Sequence, residues 1–437
     1  MDGTTIAMLA TGGMLVLLAL GVPVAACLGL AGFVGLYFVG GWTFAIIQLE
    51  SLPYQLTSTY SFSVLPMFLF MGNLAMNGGM AQELYTAANR LIGHFRGGLY
   101  LATIAGSASF SAISGSTVVN ATVFTRISLP EMLRLGYSRS VAGASIASAG
   151  TLAAMIPPSV TMVIYGIITE QSIGALMIAG IVPGVATALG YCLLIMILVR
   201  VRPDVAPRDH ERSSWSQRWK SIGETWSIVL LFAFIMGGIY GGYFSPSAAG
   251  AAGSFGAMAI LAMRRRLTWS VLTRSFIDAA VTSAMLFLIV IGGLVYSRML
   301  VLSGVITDVV DFTIALQLSP ILLLLALSLV YIALGCLIDT LSMLLLTLPF
   351  VFPVIHAAGI DPIYFGVLVV VFIELGAITP PIGMNLFATV AAADGRVTIE
   401  EIIRGVWPFI VVNVILLALF IAFPVLITWL PGQMMMR

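Results

Sequence analysis

Charge is what this chain has least of. Only 8% of its 437 residues are Asp, Glu, Lys or Arg, against roughly 25% in a water-soluble globular domain. So little charge cannot keep a folded surface in water, which excludes a soluble domain. Cysteine is scarce too: Cys27, Cys192 and Cys336 sit in apolar stretches with no paired or ligand-like spacing. They read as small hydrophobes and leave no disulfide framework and no metal site. The three histidines, His94, His210 and His356, are scattered and read as loop residues. With no histidine expected at membrane depth and no paired carboxylates there, an intramembrane hydrolase lacks its catalytic groups. No G-x-x-x-x-G-K-[ST] occurs, so a phosphate-binding loop driven by ATP is excluded. Met1–Leu20 carries Asp2 and no basic start, and reads as a first span, not a cleaved leader.

What is present is apolar. Hydrophobic residues make up 60% and mean hydropathy is +1.09. Apolar runs recur from end to end at about the 20-residue length that crosses a bilayer as a helix. The expected fold class is therefore an all-α polytopic membrane protein. Spans are expected over Ile6–Gly21, Val24–Gly41 and Ser61–Met80, with Thr43–Tyr60 as an interfacial segment rich in aromatics. Residues 97–135 are apolar at both ends and polar in the middle, too short for two spans and a turn, and read as a re-entrant hairpin. A span over 140–166 is interrupted by Pro157-Pro158, and a further span covers 172–199.

The chain then repeats itself. At an offset of 223 residues Thr117 falls on Thr340, Pro130 on Pro353, Gly136 on Gly359, Gly143 on Gly366 and Pro157-Pro158 on Pro380-Pro381. Glycine and proline carry backbone meaning, so their coincidence in one register points to a structural repeat. Residues 1–200 form the first copy and 226–437 the second, joined by a hydrophilic linker, 201–225. The second copy contains three spans, a hairpin over 321–356, a broken span over 363–390 and a last span over 407–430. About ten transmembrane helices plus two re-entrant hairpins and two Pro-Pro-broken helices result.

Loop charge sets orientation. Basic loops favour the cytoplasm, which places Arg90–Arg96, Arg134–Arg139, Arg200–Lys220 and Arg264–Arg274 inside. The loop His356–Pro362 has Asp361 and neither Lys nor Arg, and counting crossings puts it outside. Its repeat partner, Leu133–Arg139, is inside, so the repeat is inverted. Inverted repeats with paired interruptions are the architecture of secondary transporters. Non-helical backbone at membrane depth survives only inside protein or beside a water-filled cavity. Freed carbonyls at such breaks suit sodium, and half-helix N-termini suit anions.

Several motifs carry a family likeness: Ser63-Val64-Leu65-Pro66-Met67-Phe68-Leu69-Phe70-Met71-Gly72-Asn73-Leu74, Ser114-Gly115-Ser116, Pro157-Pro158-Ser159, Ala179-Gly180-Ile181-Val182-Pro183-Gly184, and Thr379-Pro380-Pro381-Ile382-Gly383-Met384-Asn385-Leu386-Phe387. Together they resemble the large membrane subunit of tripartite ATP-independent periplasmic (TRAP) transporters, over about Gly21 to Pro424. The resemblance implies a sodium-coupled importer of organic anions, such as C4-dicarboxylates or acidic sugars, working by an elevator motion in a bacterial or archaeal inner membrane. It also implies a periplasmic substrate-binding protein and a small four-helix membrane subunit, here expected as a separate polypeptide. Val118, Val119 and Asn120 depart from the family pattern, which often has an acidic residue after the tip.

With the repeat offset, the likeness implies at least two sodium sites. One falls on Gly335, Gly376, Thr379 and Ile382; the other on Ala112, Ala153, Ile156 and Ser159, with Ser114 added. For substrate, the candidates are Ser116, Thr117, Arg298, Asp339 and Asn385. Arg298 offers a bidentate fork to a carboxylate, or snorkels at the interface. Asp339 balances charge near the cations or contacts substrate. Glu374 is read as structural, and Arg126 as a headgroup or partner contact. A stand-alone sodium/carboxylate symporter of the same inverted-hairpin plan is the alternative; a channel would show downhill flux without sodium coupling. The inverted reading is testable: on spheroplasts, a membrane-impermeant thiol reagent should label His356→Cys and spare Arg134→Cys. Equal labelling of both would remove the inversion.

Overall fold

The structure, a computed structural model, describes residues 2–207 and 214–435. Arg208, His210 and Arg212 of the expected linker lie outside the described residues. The described residues are helical, joined by short turns, with no strand among them. The first copy runs α1 (Gly3–Ala19), α2 (Val24–Ser58), α3 (Val64–Asn77), α4 (Met80–Ile92), α5 (Gly98–Ser114), α6 (Thr117–Arg134), α7 (Arg139–Met155), α8 (Val160–Ile168) and α9 (Ile173–Val201). A connecting α10 (Trp215–Glu224) follows. The second copy runs α11 (Trp226–Tyr240), α12 (Pro246–Met263), α13 (Trp269–Ser303), α14 (Val305–Ala315), α15 (Pro320–Gly335), α16 (Thr340–Ala357), α17 (Pro362–Ala377), α18 (Met384–Ala392) and α19 (Ile399–Ala422), then α20 (Val425–Met435).

Local sequence explains many of these boundaries. Ser245, Ser319 and Asp361 each cap a helix with a side-chain oxygen and are followed by proline at the first helical position. There the missing N–H costs nothing and the fixed φ already suits the helix. The hairpins are α5–α6 and α15–α16. Each turns in two to four residues, at Gly115-Ser116 and at Cys336–Asp339. The doublets Pro157-Pro158 and Pro380-Pro381, both cis, separate α7 from α8 and α17 from α18. Proline removes the donor that would continue each helix, and α7 and α8 are bent by 40°.

Six helices are long and apolar enough to cross a membrane, and three bent pairs raise that to as many as nine. The ten expected spans map onto five of the six (α2, α9, α12, α13, α19), the three bent pairs α3–α4, α7–α8 and α10–α11, and the shorter apolar α1 and α17. The sixth long helix, α16, is a hairpin arm. The segment expected over Thr43–Tyr60 is helical as far as Ser58 and is set off from the first part of α2 by non-helical backbone at Gly41 (φ 81°, ψ 175°). One expectation needs correction, the setting of His356. His356 lies in the last turn of α16, not in a loop. The linker 201–225 contains the helix α10, whose N-cap Ser214 and Gln217 form a capping box.

The two copies are knitted together by polar bonds in an apolar core. Tyr165 of α8 donates to the Pro362 carbonyl at 2.6 Å, and Asn413 of α19 donates to the Tyr191 hydroxyl of α9 at 2.7 Å. Buried hydroxyls and amides in hydrocarbon are costly unless bonded, so these links select one arrangement of the halves. Within the second copy the backbones also approach closely at Gly335 and Gly376, where a Cβ added to Gly376 would sit 2.7 Å from the Gly335 Cα. Gly376→Ala should therefore destabilise the chain by about 1–3 kcal/mol, the usual cost of overpacking. Gly12→Ala, with nothing within 4 Å, should not. Thermal unfolding of the purified variants checks both.

Candidate functional site: a cavity where four helices begin

The two hairpin tips and the two Pro-Pro breaks open on one cavity of about 120 Å³. Gly115, Ser116 and Thr117 come from the first tip; Asp339, Thr340 and Leu341 from the second. Val160 and Thr161 begin α8 and Met384 begins α18. Leu69 of α3 with Thr282 and Leu286 of α13 close the remaining side. The N-termini of α6, α8, α16 and α18 thus converge. Each such terminus carries partial positive charge and unbonded N–H groups, a setting for an anion. No Lys, Arg or His lines the cavity. A larger groove of about 560 Å³ between α1 and α2 has an apolar lining and offers nothing to orient a polar solute.

The four termini are not equivalent. Asp339 accepts hydrogen bonds from the N–H groups of Leu341 and Ser342, both 3.1 Å, so α16 carries its own carboxylate. Ser159 accepts from Met162 N at 3.2 Å and caps α8. Ser116 and Gly383 make no side-chain cap bond, which leaves the first N–H groups of α6 and α18 open. Open N–H groups thus face the cavity from the first tip and from α18, and the Asp339 carboxylate lies at the second tip.

Each expected sodium set lies where a hairpin tip meets a break. In the first copy the Gly115 carbonyl accepts Val160 N at 3.4 Å, and Gly115 has φ +60° with no room for a side chain: a Cβ would meet the Pro158 carbonyl at 2.8 Å. Ser114 Oγ beside it is buried with no hydrogen-bond partner. Ala112 and Ala153 are buried on the adjacent α5 and α7, and Ile156 has extended backbone. Ser159 donates to the Ala154 carbonyl at 2.5 Å. In the second copy Gly335 and Gly376 touch, Thr379 Oγ1 donates to the Leu375 carbonyl at 2.6 Å, and Gly383 N donates to the Cys336 carbonyl at 3.1 Å. Ile382 is 38% exposed.

Of the expected substrate residues, Ser116, Thr117 and Asp339 come together in the cavity. Arg298 does not line it; its Nε donates to Gln48 Oε1 of α2 at 3.2 Å in an exposed setting. Asn385 is buried and turns toward α7, donating to the Ala147 carbonyl at 3.3 Å. Glu374 is buried with no ion pair among the described residues, and Arg126 is exposed on α6. Sequence reasoning missed Thr161, Thr340, Thr282 and Met384. The offset of 223 that pairs Thr117 with Thr340 also pairs Thr161 with Met384, so three of these had a signal. Thr282, one threonine in a long apolar helix, had none.

This architecture is that of a membrane transporter. The chain superposes on the solved YdaH transporter of Alcanivorax borkumensis with a TM-score of 0.67 at 14% identity, over 98% of this chain and 99% of that one. The chain belongs to the family described as the tripartite ATP-independent periplasmic transporter, DctM component, whose model matches residues 11–426. It is 32% identical to a C4-dicarboxylate TRAP transporter large permease of Pseudomonas aeruginosa over 88% of each chain. It is 31% identical to an ectoine TRAP transporter large permease of Halomonas elongata, over 94% of this chain and 95% of that one. A sialic acid TRAP transporter permease of Haemophilus influenzae is 30% identical over 96% of this chain and 67% of its own length. With its apolar spans, this makes the chain a multi-pass permease of the bacterial inner membrane. If the cavity holds solute, Thr161→Val should raise the solute concentration for half-maximal uptake roughly ten-fold, the worth of one hydrogen bond to a charged group. Uptake kinetics in proteoliposomes containing the assembled transporter test this.

Proposed function

We propose that this permease imports an organic anion, a carboxylate of the C4-dicarboxylate or acidic-sugar kind, with sodium as the driving ion. The observation that carries the reading is the open N-termini of α6 and α18 facing one cavity that contains no basic side chain. Helix ends there do what an arginine does elsewhere. Relatives named for C4-dicarboxylates and for sialic acid support a carboxylate. A periplasmic binding protein hands the solute over, and a small four-helix membrane subunit completes the assembly.

Sodium fits the two tip–break junctions. It is a hard cation that takes several oxygen ligands, and backbone carbonyls freed at the breaks supply them. Ser114 Oγ, buried and unbonded, is an orphaned oxygen at the first junction. Ala112, Ala153, Ile156 and Ser159 share that junction; Gly335, Gly376, Thr379 and Ile382 share the other. Asp339 offsets cation charge and does not contact the substrate carboxylate. In the elevator reading, both hairpins with α7–α8 and α17–α18 move as one body against α2, α3 and α13, of which α3 contributes Leu69 and α13 contributes Thr282 and Leu286 to the cavity wall.

Thr379→Ala or Ser159→Ala should raise the sodium concentration for half-maximal uptake by about five-fold, corresponding to about 1 kcal/mol. Unchanged sodium dependence in both variants overturns the site assignment. Sodium-driven uptake by this chain alone in liposomes, with no small subunit recovered on purification, would instead favour the stand-alone symporter.

A further inference from the structure

The short helix α10 turns its apolar side outward. Trp215 is 71% exposed, Trp219 67%, Ile222 38% and, just beyond the helix, Trp226 40%. These positions recur every three or four residues and so form one row along the helix. The row continues on α11 as Val229, Leu230 and Phe234, all exposed on a helix of membrane-spanning composition bent by 40° from α10. One medium therefore meets the whole row, hydrocarbon along α11 and the headgroup layer along α10, where tryptophan concentrates.

The opposite side of α10 is polar and docked on α4. Ser221 is buried and accepts from Arg90 Nη1 at 2.6 Å. At the edge of the tryptophan row, Arg218 places its guanidinium carbon 5.0 Å from the Trp215 ring centroid and its Nη2 3.3 Å from His94 Nδ1. Among the described residues Arg90, Arg218 and Lys220 form no ion pair. The one acidic residue of α4, Glu83, is already held by Arg264 at 2.6 Å and Arg266 at 2.5 Å. Positive charge that meets no ion-pair partner among the described residues is thus gathered at the foot of a tryptophan row that enters the membrane surface.

We propose that α10 and the end of α4 bind the headgroup of an anionic phospholipid. Trp215 and Trp219 sit between lipids and Arg218 holds the phosphate, while Lys220, on another face of the helix, and Arg90 add to the attraction for the anionic leaflet. A basic cluster beside a transmembrane helix is attracted to an anionic leaflet by a term that grows with each Lys or Arg. Because α4 leads directly into the first hairpin, a lipid on α10 also fixes the support from which that hairpin moves.

Native mass spectrometry of the full chain, offered limiting phosphatidylglycerol and phosphatidylcholine together, tests the site. Phosphatidylglycerol should be retained preferentially, and the Arg218→Gln/Lys220→Gln double variant should lose roughly twenty-fold of that preference, about five-fold per charge. The charge-conserving Lys220→Arg should keep it. Equal retention of the two lipids by the native chain, or unchanged preference in the double variant with an unaltered unfolding temperature, overturns the proposal. A variant keeping Trp219 as its only tryptophan provides an independent measurement in nanodiscs with the small subunit present. Quenching by headgroup-level spin-labelled lipid supports the lipid site. Quenching by aqueous iodide alone, or shielding from both quenchers by a protein partner, refutes it.

Discussion

The structure depends on one constraint: a backbone amide in hydrocarbon must find a partner. Four interruptions break the helices of this chain, two hairpin tips and two proline doublets, and each break is resolved against another. Val160 N, just past Pro157-Pro158, bonds to the Gly115 carbonyl of the first tip; Gly383 N, just past Pro380-Pro381, bonds to the Cys336 carbonyl of the second. Val160 and Gly383 are themselves repeat partners. The hairpins reach inward because the broken helices need them there, and the broken helices are tolerated because the tips arrive. The closeness of Gly335 to Gly376 and the αL turn at Gly115 follow from that mutual approach.

What is left after these bonds is the lining of the candidate site. Two of the four helix N-termini are capped by Ser159 and Asp339, and two remain open toward the cavity. Attraction for an anion built from N–H groups and helix ends, with no arginine in the wall, is strong only while water is excluded. It weakens as soon as the wall opens, which suits a site that must release its cargo. The wall also has two sources, the tips and breaks on one side and α3 with α13 on the other, so a relative displacement of those bodies would change the cavity without refolding either.

Much of this was legible in the residues because membrane crossing imposes few solutions. The hairpins expected over 97–135 and 321–356 appear as α5–α6 and α15–α16, and the broken spans appear at the proline doublets. Glycine and proline were informative because their constraints are local. Arg298 was a different matter. A lone arginine near the end of an apolar run invites a role in anion binding, yet where it points depends on how α13 lies against α2, and it meets Gln48. The helical course of the linker at α10 was equally hidden. Aromatic and polar residues at an interface look alike whether the backbone is coiled or helical.

By itself, the sequence determined the class of solvent, the positions of the interruptions and the recurrence of glycine and proline at one offset, because each depends on composition or on residues with restricted backbone. Only the tertiary structure decided which helix ends remain open, since a cap is a contact between particular atoms: Asp339 closes α16 while Ser116, its repeat partner, leaves α6 unclosed. It also brought Thr282 to the cavity across more than a hundred residues of chain. Such a contact leaves no periodic trace along the sequence, because it arises from the packing of two helices and not from the pattern of either.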